Sequence, residues 1–209
     1  MEETKEKCEY PLNSSWVLWE HQKNTNNNYD QNTKLVYEFS SIENFWRLFN
    51  NYPYPSKYFY HNNCKPKFDN PLREVSSVSL FRKGVHPKWE DPLNTNGGEI
   101  AIKRFKNTDV LAEIDKCWKL LAVICVTENF DMSEEITGIR VVDSSIPGKK
   151  ALYRIEIWFS NKDNRLLIEK SFKEKMNFGP FVQLHYKEHS TAVESTPRKK
   201  NYHSRSKSS

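Results

Sequence analysis

Between Tyr153 and Phe159 the chain alternates strictly. Tyr153, Ile155, Ile157 and Phe159 fall on one side, Arg154, Glu156 and Trp158 on the other. A period of two is that of a strand, and one apolar face opposite one polar face belongs to an antiparallel sheet covered on a single side. Ser14 to Glu20, Leu35 to Phe39, Val75 to Phe81, Glu99 to Phe105, Ile139 to Asp143 and Phe181 to Tyr186 carry the aromatic and β-branched content of further strands. Ile42, Phe45, Trp46 and Phe49 recur at helical spacing after a capping box, Ser40-Ser41-Ile42-Glu43. A second helix, capped by Thr108 or Asp109, carries Val110, Ile114, Cys117, Trp118, Leu121 and Cys125 on one face. A third, Asn164 to Met176, sets Leu167, Ile168 and Phe172 amid charge. Hairpin strands separated by three helices predict an α+β fold with the helices on one face of the sheet.

The expected organisation is a disordered lead-in over 1–9, one domain over 10–189 and a basic, Ser-rich flexible tail over 190–209. Asn50 to Pro71, with Pro53, Pro55, Pro66 and Pro71, is a long irregular stretch. Its Tyr52, Tyr54, Tyr58, Phe59 and Tyr60 either pack over the sheet or bind something.

Charge narrows the function. The formal net charge is +5, from 32 Lys and Arg against 27 Asp and Glu. Five of those cations, Arg198, Lys199, Lys200, Arg205 and Lys207, lie in Ser195 to Ser209, which has no acid. Without them the body balances 27 cations against 27 anions. A neutral body argues against general electrostatic wrapping of nucleic acid. The longest apolar run, Leu120 to Val126, is seven residues, too short for a membrane span. The charged start has no signal-peptide core, and the four cysteines form no Cys-x-x-Cys pair, so a monomeric protein of the cytoplasm, or also of the nucleus, with reduced thiols is expected.

Motifs of catalysis and cofactor binding are missing. There is no His-Glu-x-x-His, no zinc spacing, no glycine-rich phosphate loop before a helix and no Gly-x-Ser-x-Gly elbow. A binding protein without metal or cofactor is the expectation, not an enzyme.

The six tryptophans carry the information. Trp16 and Trp19, three apart in a strand, must point to opposite faces. Trp89 lies in a loop between charge and proline, Pro87-Lys88-Trp89-Glu90-Asp91-Pro92. Trp158 shares the polar face of its strand with Arg154, about 13 Å away at roughly 3.3 Å per residue. Such a pair suits a base and its phosphates.

Pro11-Leu12 before Trp16-Val17-Leu18-Trp19, then Phe45-Trp46, Ser79-Leu80-Phe81, Pro87-x-Trp89-Glu90-Asp91, Gly97-Gly98 and Ile155-x-Ile157-Trp158 resemble translation initiation factor 4E, the messenger-RNA cap-binding family. The order and spacing extend over about Tyr10 to His189. The resemblance implies a curved antiparallel sheet, three helices on its convex face, and a 7-methylguanosine cap on the concave one. It implies that Tyr29 and Trp89 stack the base, that Glu90 accepts from guanine N1–H and N2–H, and that Trp158 meets the N7 methyl. Methylation puts positive charge on the ring, which strengthens stacking on electron-rich faces.

Arg154 falls on a phosphate ligand of the family. Glu99 stands where relatives are often basic, and a second expected arginine falls near Ser144 or Ser145. Lys149 and Lys150 either substitute for it or are solvated. On the convex face the family takes a Tyr-x-x-x-x-Leu-apolar helix from a 4G-type scaffold factor or a repressor. Tyr10, Pro11, Ile42, Trp46 and Leu120 match that surface, although Trp46 also suits plain core packing. Lys119-Leu120 replaces a leucine and a glutamate of better-known relatives. The expected function is recruitment of capped messenger RNA for translation initiation. The alternatives are a cap-binding repressor that does not engage the scaffold, or a general single-stranded RNA binder.

Overall fold

The computed structural model describes residues 9–23, 28–59, 66–67, 73–105, 110–146, 149, 151–179 and 182–195. Seven strands form one open, curved sheet: β1 (Pro11–Gln22), β2 (Thr33–Ser41), β3 (Val75–Arg82), β4 (Gly98–Phe105), β5 (Ile136–Asp143), β6 (Leu152–Phe159) and β7 (Leu184–Glu188). Their order is β2-β1-β3-β5-β6-β4-β7, and every paired neighbour is antiparallel.

The alternation seen in the sequence sorts the two faces. Trp16 and Leu18 of β1, Val78 and Leu80 of β3, Ile139 and Val141 of β5, and Ile155 and Ile157 of β6 point to one side. There they meet α2 (Ile42–Asn51), α3 (Val110–Val126) and α4 (Arg165–Lys175) in one continuous core. Those are the three predicted helices, all on the same face of the sheet.

The first of them starts one residue later than its sequence suggests. Ser41, not Ser40, is the N-cap and accepts from the Asn44 N–H at 3.3 Å. Glu43 therefore makes no reciprocal box; its carboxylate accepts from the Tyr10 N–H at 3.1 Å and ties β1 to α2. On α4, Ile168 and Phe172 are buried, but Leu167 is exposed, contrary to the predicted face. The caps Thr108 and Asp109, the turn Pro147-Gly148 and Phe181 lie outside the described residues.

The irregular stretch after α2 is core material where it is described. Tyr58 and Phe59 are fully buried, and Phe59 stacks on Tyr153 at 5.8 Å. Ser56 N–H and Oγ–H both donate to Asp115 of α3, at 2.9 and 2.6 Å. Tyr52 Oη donates to buried Glu20 at 2.6 Å, and Arg73 holds the same carboxylate with two N–H groups. Tyr60 lies outside the described residues.

The chain also continues in regular structure where a flexible tail is expected. After β7 it forms α5 (His189–Ser195), with His189 and Ala192 buried. The correction has a physical cause: His189 N–H donates to the Gly97 carbonyl at 3.2 Å, and its ring is held beneath the open face. Residues 196–209 lie outside the described residues.

On the open face, Phe81, Gly138, Trp158, Glu99 and Lys187 form one row across β3, β5, β6, β4 and β7. Glycine at 138 is a packing requirement, because a Cβ there would lie 2.4–2.7 Å from three Phe81 ring atoms. That vacancy lets Phe81 sit edge-on to Trp158, with centroids 5.4 Å apart. Gly138→Ala should cost about 1–3 kcal/mol by overpacking. A urea midpoint lowered at constant m-value is the expected reading; an unchanged midpoint would show that Phe81 moves aside freely.

Candidate functional site

The open face carries a cavity of about 460 Å³ lined by Tyr29, Asp30, Pro87, Lys88, Trp89, Glu90, Arg140 and Trp158. Four of the residues singled out in the sequence, Tyr29, Trp89, Glu90 and Trp158, are thus brought to one place from three separate segments.

Trp89 and Glu90 are presented by the loop from β3 to β4, whose shape is set by two buried polar side chains. Asp91 accepts from the His86 and Leu93 N–H groups at 2.9 and 3.0 Å. Asn94 Nδ2 donates to the His86 and Lys88 carbonyls, both at 2.9 Å. The loop re-enters the sheet at Gly97-Gly98, where a Cβ would strike the Phe159 carbonyl at 1.7 Å or the Tyr186 ring at 2.6 Å. The Asp91 of the Trp-Glu-Asp string is accordingly a loop clamp, while Glu90 is exposed at the rim.

Trp89 is fixed from below. Its indole N–H donates to Glu99 at 3.2 Å, and Lys187 Nζ lies 3.5 Å from its ring centroid. Burial acts to raise the Glu99 pKa, but the nearby His189 ring, the charge of Arg140 and the indole N–H of Trp89 outweigh it and hold the carboxyl down at about 2. His189 Nδ1 faces the Asn94 carbonyl at 2.8 Å, and a carbonyl only accepts, so Nδ1 carries a proton. Its Nε2 lies 3.6 Å from Glu99. Glu99 stands where the resemblance leads one to look for a phosphate ligand; here it positions a ring.

Tyr29 opens the short helix α1 (Tyr29–Asn32), capped by Asn28, between β1 and β2. Its ring stacks on His21 at 4.5 Å, and its hydroxyl donates to the Pro87 carbonyl at 2.6 Å. Asp30 and Lys88 pair at 3.0 Å, a second tie between this helix and the Trp89 loop.

The floor was not legible in advance. Trp158 is 1% exposed, so it is not the freely exposed ring that strand alternation suggests. Its N–H donates to Glu156 at 3.0 Å, and the Arg140 guanidinium lies 4.6 Å over its ring. Arg140 Nε donates to the same carboxylate at 2.7 Å, and Nη1 donates to the Tyr29 hydroxyl at 3.3 Å. Arg140 is buried, and desolvation, which disfavours its charge, is outweighed by Glu156 and Glu99, so it stays protonated. The one local signal for it is a cation alternating with Ile139 and Val141 in an apolar strand.

Arg154 is not among the cavity-lining residues; its Nη2 pairs with Glu156 at 2.9 Å with the side chain about one-third exposed (32%). Lys149 is exposed in the turn between β5 and β6, and Lys150 lies outside the described residues. On the helix-covered side, Tyr10 (63%), Ile42 (42%), Trp46 (37%) and Leu120 (43%) are all exposed apolar residues, and Pro11 is exposed with them. The Ile42 N–H donates to the Tyr10 carbonyl at 2.9 Å, and Lys119 Nζ lies 5.4 Å from the Trp46 ring, so β1, α2 and α3 share this surface. Trp46 is thus not simply core.

Among the described residues no group of side chains is arranged to hold a metal ion, and no helix is long and apolar enough to cross a membrane. Cys125 is a buried free thiol of α3; Cys8 and Cys64 lie outside the described residues.

A half-open sheet backed by helices, with aromatic rings and a carboxylate converging on its uncovered face, defines a binding protein for a flat, polar-edged ligand. The family model described as "Eukaryotic initiation factor 4E" matches residues 11–204, and the chain belongs to that family. It is 30% identical over 197 residues to eukaryotic translation initiation factor 4E-1A of Danio rerio, covering 92% of this chain and 82% of that one. It is 34% identical over 164 residues to eukaryotic translation initiation factor 4E of Candida albicans, covering 77% and 69%. Its fold is similar to that of C. elegans eIF4E-3 in complex with the 4E-binding protein Mextli, with TM-score 0.71, 22% identity and coverage of 90% and 97%. It is similar also to Ascaris suum eIF4E-3 solved with an m2,2,7G cap, with TM-score 0.69, 23% identity and coverage of 88% and 93%.

Because the Glu99 pKa lies below its ordinary 4.5, the stability it contributes is complete above that pH and is lost as pH falls toward about 2. The stability difference between wild type and Glu99→Gln should be largest near neutrality and shrink from pH 4.5 downward. A difference that stays constant with pH in urea titrations would overturn this account.

Proposed function

We propose that this protein binds the 7-methylguanosine cap of messenger RNA and recruits it for translation initiation through a scaffold partner. The observation that carries the reading is the convergence of Tyr29, Trp89, Glu90 and Trp158 on one cavity. Tyr29 and Trp89 stack the cationic base, and Glu90 accepts from the guanine N1–H and N2–H as a charge-assisted pair. Trp158 lies on the methyl side. Arg154, Lys149 and Lys150 supply charge to the phosphates, Arg154 at the expense of its pair with Glu156. The domain runs from residue 10 through α5, the Ser-rich basic end follows it, and the protein acts by binding, as a monomer in the cytoplasm.

Intrinsic tryptophan fluorescence should be quenched saturably by 7-methylguanosine triphosphate, at lower concentration than by GTP. Trp89→Ala should weaken binding by about 1–3 kcal/mol, the worth of one stacked base. Equal response of the wild type to 7-methylguanosine triphosphate, GTP and UTP would sink the reading.

The exposed surface of Tyr10, Pro11, Ile42, Trp46 and Leu120 suits an amphipathic Tyr-x-x-x-x-Leu-apolar helix. A second reading, a cap-binding repressor that leaves the scaffold unengaged, is favoured by Lys119, whose ammonium lies over the Trp46 ring such a helix would cover. A 4G-type peptide should bind at micromolar level and be lost on Trp46→Ala; a wild type that ignores the peptide while binding cap would select the repressor.

A further inference from the structure

Arg140 is an arginine with unused donors facing a ligand cavity. It is 7% exposed, and its guanidinium lines the cavity while covering the Trp158 ring at 4.6 Å. Nε is committed to Glu156 at 2.7 Å, and Nη1 gives one N–H to Tyr29 at 3.3 Å. Among the described residues Nη2 makes no hydrogen bond; the Glu99 carboxylate stands 3.8 Å away, at ion-pair rather than hydrogen-bond distance. A buried guanidinium has strong reason to satisfy its remaining N–H groups.

We propose that Arg140 is a specificity-determining residue, whose guanidinium donates to the N7 and O6 edge of guanine and so narrows the preference of this pocket for N7-methylated over unmethylated base. The inference rests on the cap-binding reading, which sets Glu90 at the N1–N2 edge of guanine and Trp158 with Arg140 at the opposite, N7 edge. Unmethylated N7 is a hydrogen-bond acceptor, and arginine at N7 and O6 is the commonest specific guanine contact. Methylation removes that acceptor and gives the ring a positive charge beside the guanidinium. Trp89 and Tyr29 favour the methylated base by stacking; Arg140 favours the unmethylated one. Glu156 and Glu99 balance the arginine charge, so the repulsion is reduced but the lost acceptor is not replaced.

The test compares dissociation constants of 7-methylguanosine triphosphate, GTP and 7-deaza-GTP by fluorescence titration. In the wild type, 7-deaza-GTP, which lacks the N7 acceptor, should bind about tenfold more weakly than GTP, as expected for a hydrogen bond from a charged donor. The paired variant Arg140→Met with Glu156→Gln keeps the net charge and leaves Trp158 N–H an acceptor. In it, GTP and 7-deaza-GTP should bind alike, and the ratio of GTP to methylated-nucleotide dissociation constants should widen about tenfold. Glu156→Gln alone should leave GTP ahead of 7-deaza-GTP. Any effect of a released Arg154 on phosphate cancels in these ratios. Equal wild-type affinity for GTP and 7-deaza-GTP would overturn the role of Arg140 without requiring any variant to fold. If the wild type prefers the methylated nucleotide and the ratio is unmoved in the variant, Arg140 fails and cap binding stands. If the wild type binds no methylated nucleotide, both fail.

Discussion

The open face of this sheet is organised by one buried carboxylate. Glu156 is fully enclosed, takes N–H groups from Arg140 at 2.7 Å and Trp158 at 3.0 Å, and pairs with the Arg154 guanidinium at 2.9 Å. Three long side chains from two strands are thereby fixed by a single acceptor. A buried charge of this kind is tolerated only when paired and hydrogen-bonded, and removing one partner typically costs about 3–5 kcal/mol. The cavity floor is therefore preorganised, because the alternative arrangements of Arg140 or Trp158 leave a charge or an indole N–H unsatisfied in low dielectric.

A second chain of contacts connects the end of the fold to the rim of the cavity. His189, the first residue of α5, bonds the Asn94 carbonyl, packs at 4.4 Å on Trp158 and approaches Glu99, which in turn holds the Trp89 indole. Asn94 meanwhile clamps the loop that carries Trp89. The wall and the floor of the cavity are thus joined through residues nearly a hundred positions apart. That coupling explains why the chain stays ordered past β7 instead of becoming a free tail.

Much of the architecture was legible because it follows from local periodicity. The alternation in 153–159 and the run from Val110 to Cys125 each name a face without knowledge of the partner, whereas of the stripe Ile42, Phe45, Trp46 and Phe49 only Phe45 and Phe49 are buried. Trp16 and Trp19 separate to opposite faces as their spacing requires, Trp16 into the core and Trp19 onto the Phe81, Val85 and Trp158 cluster of the open face. The misreadings have nonlocal causes. Glu43 leaves the predicted capping box because the Tyr10 N–H competes for it. Leu167 turns outward because Ile168 and Phe172 already fill the contact of α4 with the sheet. The aromatic insertion was ambiguous by composition; the buried Tyr58 and Phe59 fill the core.

By itself the sequence determined the antiparallel α+β class, the loop position of Trp89 and Glu90, and the family, since these depend on residue type and spacing along the chain. Only the tertiary structure decided that Arg140 lies over Trp158, that Arg154 is drawn into a pair with Glu156, and that Glu99 supports a ring. Those outcomes depend on which strands are neighbours: Arg140 faces Glu156, and Glu99 faces Trp158, only through the β5-β6-β4 register. No local pattern encodes that register; the burial of one whole face of the sheet fixes it.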